Sequence, residues 1–237
     1  MSAEKLEEVL TRIDAVVAAG GVPLVIFDLD GTLLDNRPRT IRILREFAAE
    51  YGDGALSSVV EGLSADDFRY DVRDLLRARG WDDADGLEAF FSFWWERFFT
   101  DGYVLSDRAT AGAVAFAGAC WERGAVVYYL TGRHVGGMEQ GTAASLTALG
   151  FPMYRGRVVL HLKPSFDVGD AEFKDAAVAD IRSMRGPVIA SFENEPGHAN
   201  LLAESFPDAA SFLVDTGHGP SAPAPSPALI HIDDFAT

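Results

Sequence analysis

Two aspartates one residue apart, Asp28 and Asp30, close the apolar run Leu24-Val25-Ile26-Phe27, and Gly31-Thr32 follows at once. Side chains alternate along a strand, so acids two positions apart project to the same side. Two carboxylates at the mouth of an apolar strand are costly unless something neutralises them, and a divalent cation does this economically. Oxygen-only ligands suit Mg²⁺, which keeps several of its waters and pairs with substrate phosphate. The first expectation is therefore magnesium-assisted phosphate chemistry centred on these two side chains.

The elements that must hold them are legible in outline. Leu6, Val9, Leu10, Ile13 and Val16 recur at helical spacing over residues 3–19, and Gly20-Gly21 stops that helix before Pro23 opens the first strand. A second helix starts at Arg37-Pro38 and carries Ile41, Leu44, Phe47, Ala48 and Tyr51, ending at Gly52 and Gly54. From residue 55 to 105 the chain is helical in pattern, acidic and aromatic. Ser64 with Asp67 predicts a cap for a helix through Leu75 and Leu76, and residues 87–99 hold Phe90, Phe91, Phe93, Trp94, Trp95, Phe98 and Phe99. This aromatic block reads as the core of a helical lid, with one or two rings turned to the cleft as the alternative.

Ser106 predicts the cap of a helix reaching Arg123. Beyond it, strand-like runs at 126–130, 158–162, 187–192, 212–214 and 229–232 alternate with helical patterns at 138–149, 171–185 and 197–205. Such alternation predicts an α/β fold with a doubly wound parallel sheet, helices on both faces and a ligand site beyond the carboxyl ends of the strands. The domain reading is a core of residues 1–36 and 106–237 with a small, mainly α-helical cap at 37–105. Residues 219–228, rich in Pro and Ser, read as a surface loop, because another strand-like run follows.

Composition narrows the partners. Acidic residues outnumber basic ones 36 to 20 in 237 residues, a formal net charge of −16. That field repels nucleic acid and anionic membranes, and an anionic substrate must be drawn in by local positive groups. The single cysteine, Cys120, excludes an internal disulfide and a cysteine-based zinc site, and its apolar helical neighbours make it a small buried hydrophobe. The acidic start and the lack of a long apolar run predict a cytoplasmic protein.

Asp28-Leu29-Asp30-Gly31-Thr32 after a hydrophobic strand resembles the first motif of the haloacid dehalogenase superfamily, most of whose members are phosphohydrolases. The resemblance implies that Asp28 is a nucleophile forming an aspartyl-phosphate and that Asp30 is the general acid/base. Thr131-Gly132-Arg133 resembles the second motif, whose hydroxyl and neighbouring amides hold the phosphoryl group; Thr131, Gly132 and the Leu29 amide are the implied substrate contacts. The third motif is a lysine. Lys174 lies nineteen positions before Glu193, similar to the superfamily's spacing, and Lys163, just before Pro164, is the alternative and a further candidate substrate contact. The fourth motif is matched in place by Glu193-Asn194-Glu195, although the usual pattern has aspartates. The implied ligands of Mg²⁺ are Asp28, Asp30 through its backbone carbonyl, Glu193 and Asn194, with Glu195 farther out.

Arg133 reads as a substrate contact or a turn ion pair, Arg37, Arg39 and Arg42 as a solvated basic helix start, His134 as solvated, and Asp35 and Asp170 as helix-start or turn acids. The function the resemblance implies is a Mg²⁺-dependent phosphohydrolase acting on a small phosphorylated metabolite. A phosphomutase and a non-catalytic regulator of the same fold are the alternatives. Retention of Asp30 argues for phosphate esters, since in the dehalogenase branch that acid is replaced.

Overall fold

The computed structural model describes residues 2–64, 67–68 and 71–236. The chain opens with helix α1 (Ser2–Ala18), then strand β1 (Leu24–Phe27) and a short strand β2 (Leu34–Asp35). Five helices follow: α2 (Arg37–Tyr51), α3 (Gly54–Glu61), α4 (Val72–Ala78), α5 (Ala84–Phe98) and α6 (Asp101–Val104). The remainder is β3 (Arg108–Ala109), α7 (Ala113–Glu122), β4 (Val126–His134), α8 (Val135–Leu149), β5 (Val158–Lys163), α9 (Asp170–Ser183), β6 (Val188–Glu193), α10 (Pro196–Ser205), β7 (Ala210–Val214) and β8 (Ile230–Ile232).

Six strands form one sheet in the order β5-β4-β1-β6-β7-β8, with every neighbouring pair parallel. The chain builds outward from β1 through β4 to β5, then returns to the other side of β1 to lay down β6, β7 and β8. The order therefore reverses beside β1, where open α/β sheets bind ligands. Alternation sorts the strand residues onto two faces. Val25, Phe27, Val127 and Tyr129 enter a core shared with α1 and α7, whereas Leu24, Ile26, Tyr128 and Leu130 pack with Phe173, Ala177 and Ile181 of α9. Both faces are covered, as an all-parallel sheet requires.

Helices α2 to α5 have a core of their own, built from Ile43, Leu44, Phe47, Leu56, Leu75, Leu76, Trp81, Leu87 and Phe90. Trp81 donates its indole N–H to Asp53 at 2.8 Å, which satisfies its polar edge inside that core. β2 and β3 pair antiparallel, Leu34 with Ala109 and Asp35 with Arg108, tying together the two chain crossings between this helical layer and the sheet.

Four local expectations are corrected. The buried stripe of α2 runs Arg39, Thr40, Ile43, Leu44, Phe47 and Ala48, not through Ile41 and Tyr51, because the helix turns a different edge to its neighbours. Ser106 does not cap α7; that helix begins after Gly112, since β3 and a turn occupy the residues between. Helix α4 starts at Val72 behind an Asp71 cap that accepts from the Arg73 amide. The Ser64 and Asp67 side chains do bond each other, in a separate turn, and Ala65 and Asp66 between them lie outside the described residues. Finally, β4 continues past Leu130 to His134, which carries the Thr-Gly-Arg segment on the strand itself. No described helix is long and apolar enough to cross a membrane.

Candidate active site

Asp28 follows β1 directly, and its amide donates to the Phe192 carbonyl of β6 at 3.0 Å, so the sheet ladder extends to this aspartate. Lys174, in the second turn of α9, donates to Asp28 Oδ1 at 2.7 Å and to Glu193 Oε2 at 2.5 Å. Thr32 donates to Asp28 Oδ2 at 3.2 Å. Glu193 ends β6, and its Oε1 accepts the amides of Asn194 and Glu195, both at 3.0 Å, at the start of α10. One ammonium thus serves two buried carboxylates. Burial pushes the Asp28 carboxyl up to about 7, with the Glu193 charge adding and Lys174 opposing. Burial alone would pull Lys174 down; the two carboxylates outweigh it and hold it up.

Asp30 lies in a different electrostatic setting. Arg133 of β4 binds it through Nε to Oδ2 at 2.6 Å and Nη2 to Oδ1 at 2.9 Å, Arg39 of α2 adds Nη2 to Oδ1 at 2.9 Å, and Asn36 donates at 3.2 Å. Both arginines also bind Asp107, Arg133 at 2.6 Å and Arg39 through Nε at 2.9 Å. Burial works against ionisation of Asp30, but Arg133 and Arg39 together hold its carboxyl well below the usual carboxylate range. Burial raises Asp107, with the same arginines opposing.

The backbone makes room for this crowding at two glycines. Gly31 has φ +81°, and a Cβ there would collide with the Asn194 amide. At Gly132 a Cβ would sit 2.6 Å from Asp170 Oδ2. Asn194 donates to the Gly217 carbonyl at 2.8 Å, which brings the loop after β7 against the site.

Asp28, Asp30, Thr131, Gly132, Lys174, Glu193 and Asn194 line one cleft of about 1160 Å³. Thr131 Oγ1 accepts the Arg133 amide at 3.2 Å. Lys163 is occupied elsewhere, by Asp170 at 2.7 Å, so Lys174 is the lysine that meets Asp28. Leu29, expected as a substrate contact, has no exposed surface and does not line the cleft.

Arg39 is corrected from a solvated residue to one with no exposed surface, and His134 is half-buried with its ring edge-on to Phe166. The signal for Arg39 was present: it lies four residues before Ile43 and eight before Phe47, on the stripe α2 buries. Asp107 and His198 carried no motif. The His198 ring is 3.9 Å from Glu193 Oε2, and its Nδ1 is buried without a hydrogen-bond partner. The aromatic block divides. Phe90 enters the lobe's core and Phe93, Trp94 and Phe98 pack against it, as expected, but five rings and not one or two line the cleft: Phe91, Trp94, Trp95, Phe98 and Phe99.

No protein-family model matches the sequence, and neither does any curated protein. Among solved structures, a Clostridium difficile protein classed as a phosphatase aligns with 84% of this chain and 87% of its own at 13% identity, TM-score 0.53. A haloacid dehalogenase-like family hydrolase from Streptococcus pneumoniae aligns with 84% of this chain and 88% of its own at 10% identity, TM-score 0.49. The chain shares the α/β fold of the Clostridium difficile protein. Protein Tyrosine Kinase A of Mycobacterium tuberculosis also aligns, over 89% of this chain and 93% of its own at 16% identity, TM-score 0.49. At such identities a shared fold carries no activity with it; the reaction has to be argued from the site.

Proposed function

We propose that this protein is a Mg²⁺-dependent phosphohydrolase of small phosphorylated metabolites, working through an aspartyl-phosphate on Asp28. The observation that carries the reading is the Lys174 ammonium held between Asp28 and Glu193 on the cleft floor. Two carboxylates against one ammonium leave a buried excess of one negative charge, and that excess fits a cation. Among the described residues no three His, Cys, Asp or Glu side chains converge as a cage. Two carboxylates with a backbone carbonyl suit Mg²⁺, which keeps waters in its remaining positions. Asp28, Glu193, Asn194 and the Asp30 carbonyl would hold the ion, and it would supply positive charge against carboxylate and phosphoryl oxygens.

In this reading Asp28 attacks phosphorus while Lys174, kept charged by its two partners, offsets the negative charge on both reactants. Thr131 and Gly132 line the same cleft, and the Thr131 hydroxyl and the Gly132 backbone hold phosphoryl oxygens. Asp30, ionised under its two arginines, is set to take a proton from the water that cleaves the aspartyl-phosphate. Protonating the departing alkoxide needs Asp30 in its protonated form, which Arg133 and, after it, Arg39 oppose.

The test is Mg²⁺-dependent phosphate release from a panel of monoesters, with Asp28→Asn as control and mass spectrometry for a hydroxylamine-sensitive phosphoryl group on Asp28. A panel with no turnover in Mg²⁺ overturns the reading. A second reading, a phosphate-ester-binding protein without turnover, draws on the arginine clamp that keeps Asp30 ionised. Tight phosphonate binding together with a silent panel would select it.

A further inference from the structure

The cleft is much larger than a phosphoryl group requires, and one of its walls is aromatic. Phe91, Trp94, Trp95 and Phe98 follow the i, i+3, i+4, i+7 spacing of a single face of α5, and all four line the cleft, Trp94 and Phe98 with their other side packed on the helical core that holds Leu87 and Phe90. Phe99 continues this wall. From the sheet side Phe166 meets Trp95 edge-on at 5.5 Å and Phe99 at 5.2 Å. Trp95 and Phe166 are nevertheless 45% and 38% exposed, so large apolar rings stay open to solvent beside a buried ionic centre. Apolar surface gathered inside a cleft marks a place for an apolar ligand group.

The charges on the same walls restrict that group further. Arg37 is bound to Asp35 at 2.7 Å and Arg73 to Asp71 at 2.7 Å, and Arg73 also lies 4.3 Å above the Phe91 ring. Arg39, Arg133 and Lys174 are held by the carboxylates described above. Each lysine or arginine among the described lining residues already has an acidic partner, and Asp215 and Asp233 stand at the rim. A second anionic group on a ligand would meet net negative charge.

We infer that the phosphate ester this cleft accepts carries a flat aromatic or heteroaromatic body, such as an aryl alcohol or a nucleoside, with the phosphate as its only anionic group. The ring lies along the Trp94–Trp95–Phe98 wall while the phosphoryl group reaches Asp28. The inference rests on the phosphohydrolase reading for its chemistry, but recognition of the ring is measurable without turnover.

Calorimetry of the intact protein with Mg²⁺, using 1-naphthylmethylphosphonate and methylphosphonate, should show the aromatic compound binding at least about tenfold tighter. Trp95→Ala, which truncates a half-exposed side chain, should weaken the aromatic phosphonate about five- to tenfold and change methylphosphonate less than about twofold. In steady state the same variant should raise KM for 1-naphthyl phosphate by a similar factor, and by more than it raises the KM for glycerol phosphate. Equal affinities for the two phosphonates, or an unchanged aromatic affinity in Trp95→Ala, would overturn the inference. Hydrolysis without aromatic preference removes it while sparing the phosphohydrolase reading. Aromatic binding with no turnover of any ester does the reverse, and absence of both binding and turnover removes the two together.

Discussion

Two buried ionic clusters stand side by side at the sheet's reversal point, and they differ by a single charge. Asp30 and Asp107 face Arg39 and Arg133, two against two; Asp28 and Glu193 face Lys174 alone. The consequence is opposite behaviour in aspartates two positions apart: Asp28 is pushed up to about 7, and Asp30 falls well below the usual carboxylate range. Burial is common to both, so the difference comes from how many cations each one meets. The balanced cluster is complete within the chain. The unbalanced one is left short of a cation, and the proposed phosphohydrolase reading makes it the reactive half of the site.

The largest effect should come from removing the surplus charge. Asp28→Asn should lower turnover at least about 10³-fold and at the same time raise stability at pH 8 by about 1–3 kcal/mol, read by phosphate release and by denaturant unfolding. The pH dependence has a definite sign. Folded Asp28 titrates near 7 instead of its ordinary 3.8, so between those values the native state binds more protons than the unfolded chain and its stability falls as pH rises. The variant's advantage should be absent below about pH 4, grow to about pH 7 and then level off. A variant less stable than the parent at pH 8 would break the comparison.

The opposite result is expected in the balanced cluster. Arg39→Met leaves two carboxylates on one guanidinium and should cost about 3–5 kcal/mol of unfolding free energy. A loss under about 1 kcal/mol would show that the four groups are not a unit.

Added Mg²⁺ sharpens the contrast without a mutation. At about a hundredfold over its dissociation constant it should stabilise the parent protein by about 2.7 kcal/mol, and it should do far less for Asp28→Asn, seen as shifts in Tm.

The smallest effect belongs to His198, beside Glu193. Burial, helped by Lys174, lowers its ring from the ordinary 6.5 to about 4, so the unfolded chain binds the extra proton first and stability is lost as pH falls from 6.5 towards 4. His198→Asn should flatten that part of the acid limb in a pH series of unfolding curves and leave stability at pH 8 nearly unchanged.

Much of the sheet was legible because parallel strands buried on both faces read as short apolar runs. Val126–Leu130 and Val188–Phe192 needed no partner to be recognised. Asp28, Thr131, Lys174 and Glu193 were legible as spacings relative to such runs. Asp107 was not, because a lone acid in a turn has no periodicity, and its role comes from two arginines 68 and 26 positions away in sequence. The aromatic block was only partly legible for a related reason. Helical periodicity identifies an apolar face, but which of its rings meet the lobe's core and which the cleft cannot be told until the neighbours are known.

The sequence by itself determined the alternation of strands and helices, the carboxylate pair at the end of the first strand and the acidic balance of the whole chain. These are local patterns or sums, and both are independent of folding. Which aspartate would be neutralised, and which left short of a cation, was decided only when α2 brought Arg39 to Asp30 and α9 brought Lys174 to Asp28. Electrostatic energy depends on distance through low-dielectric space, and distance along a chain says nothing of it.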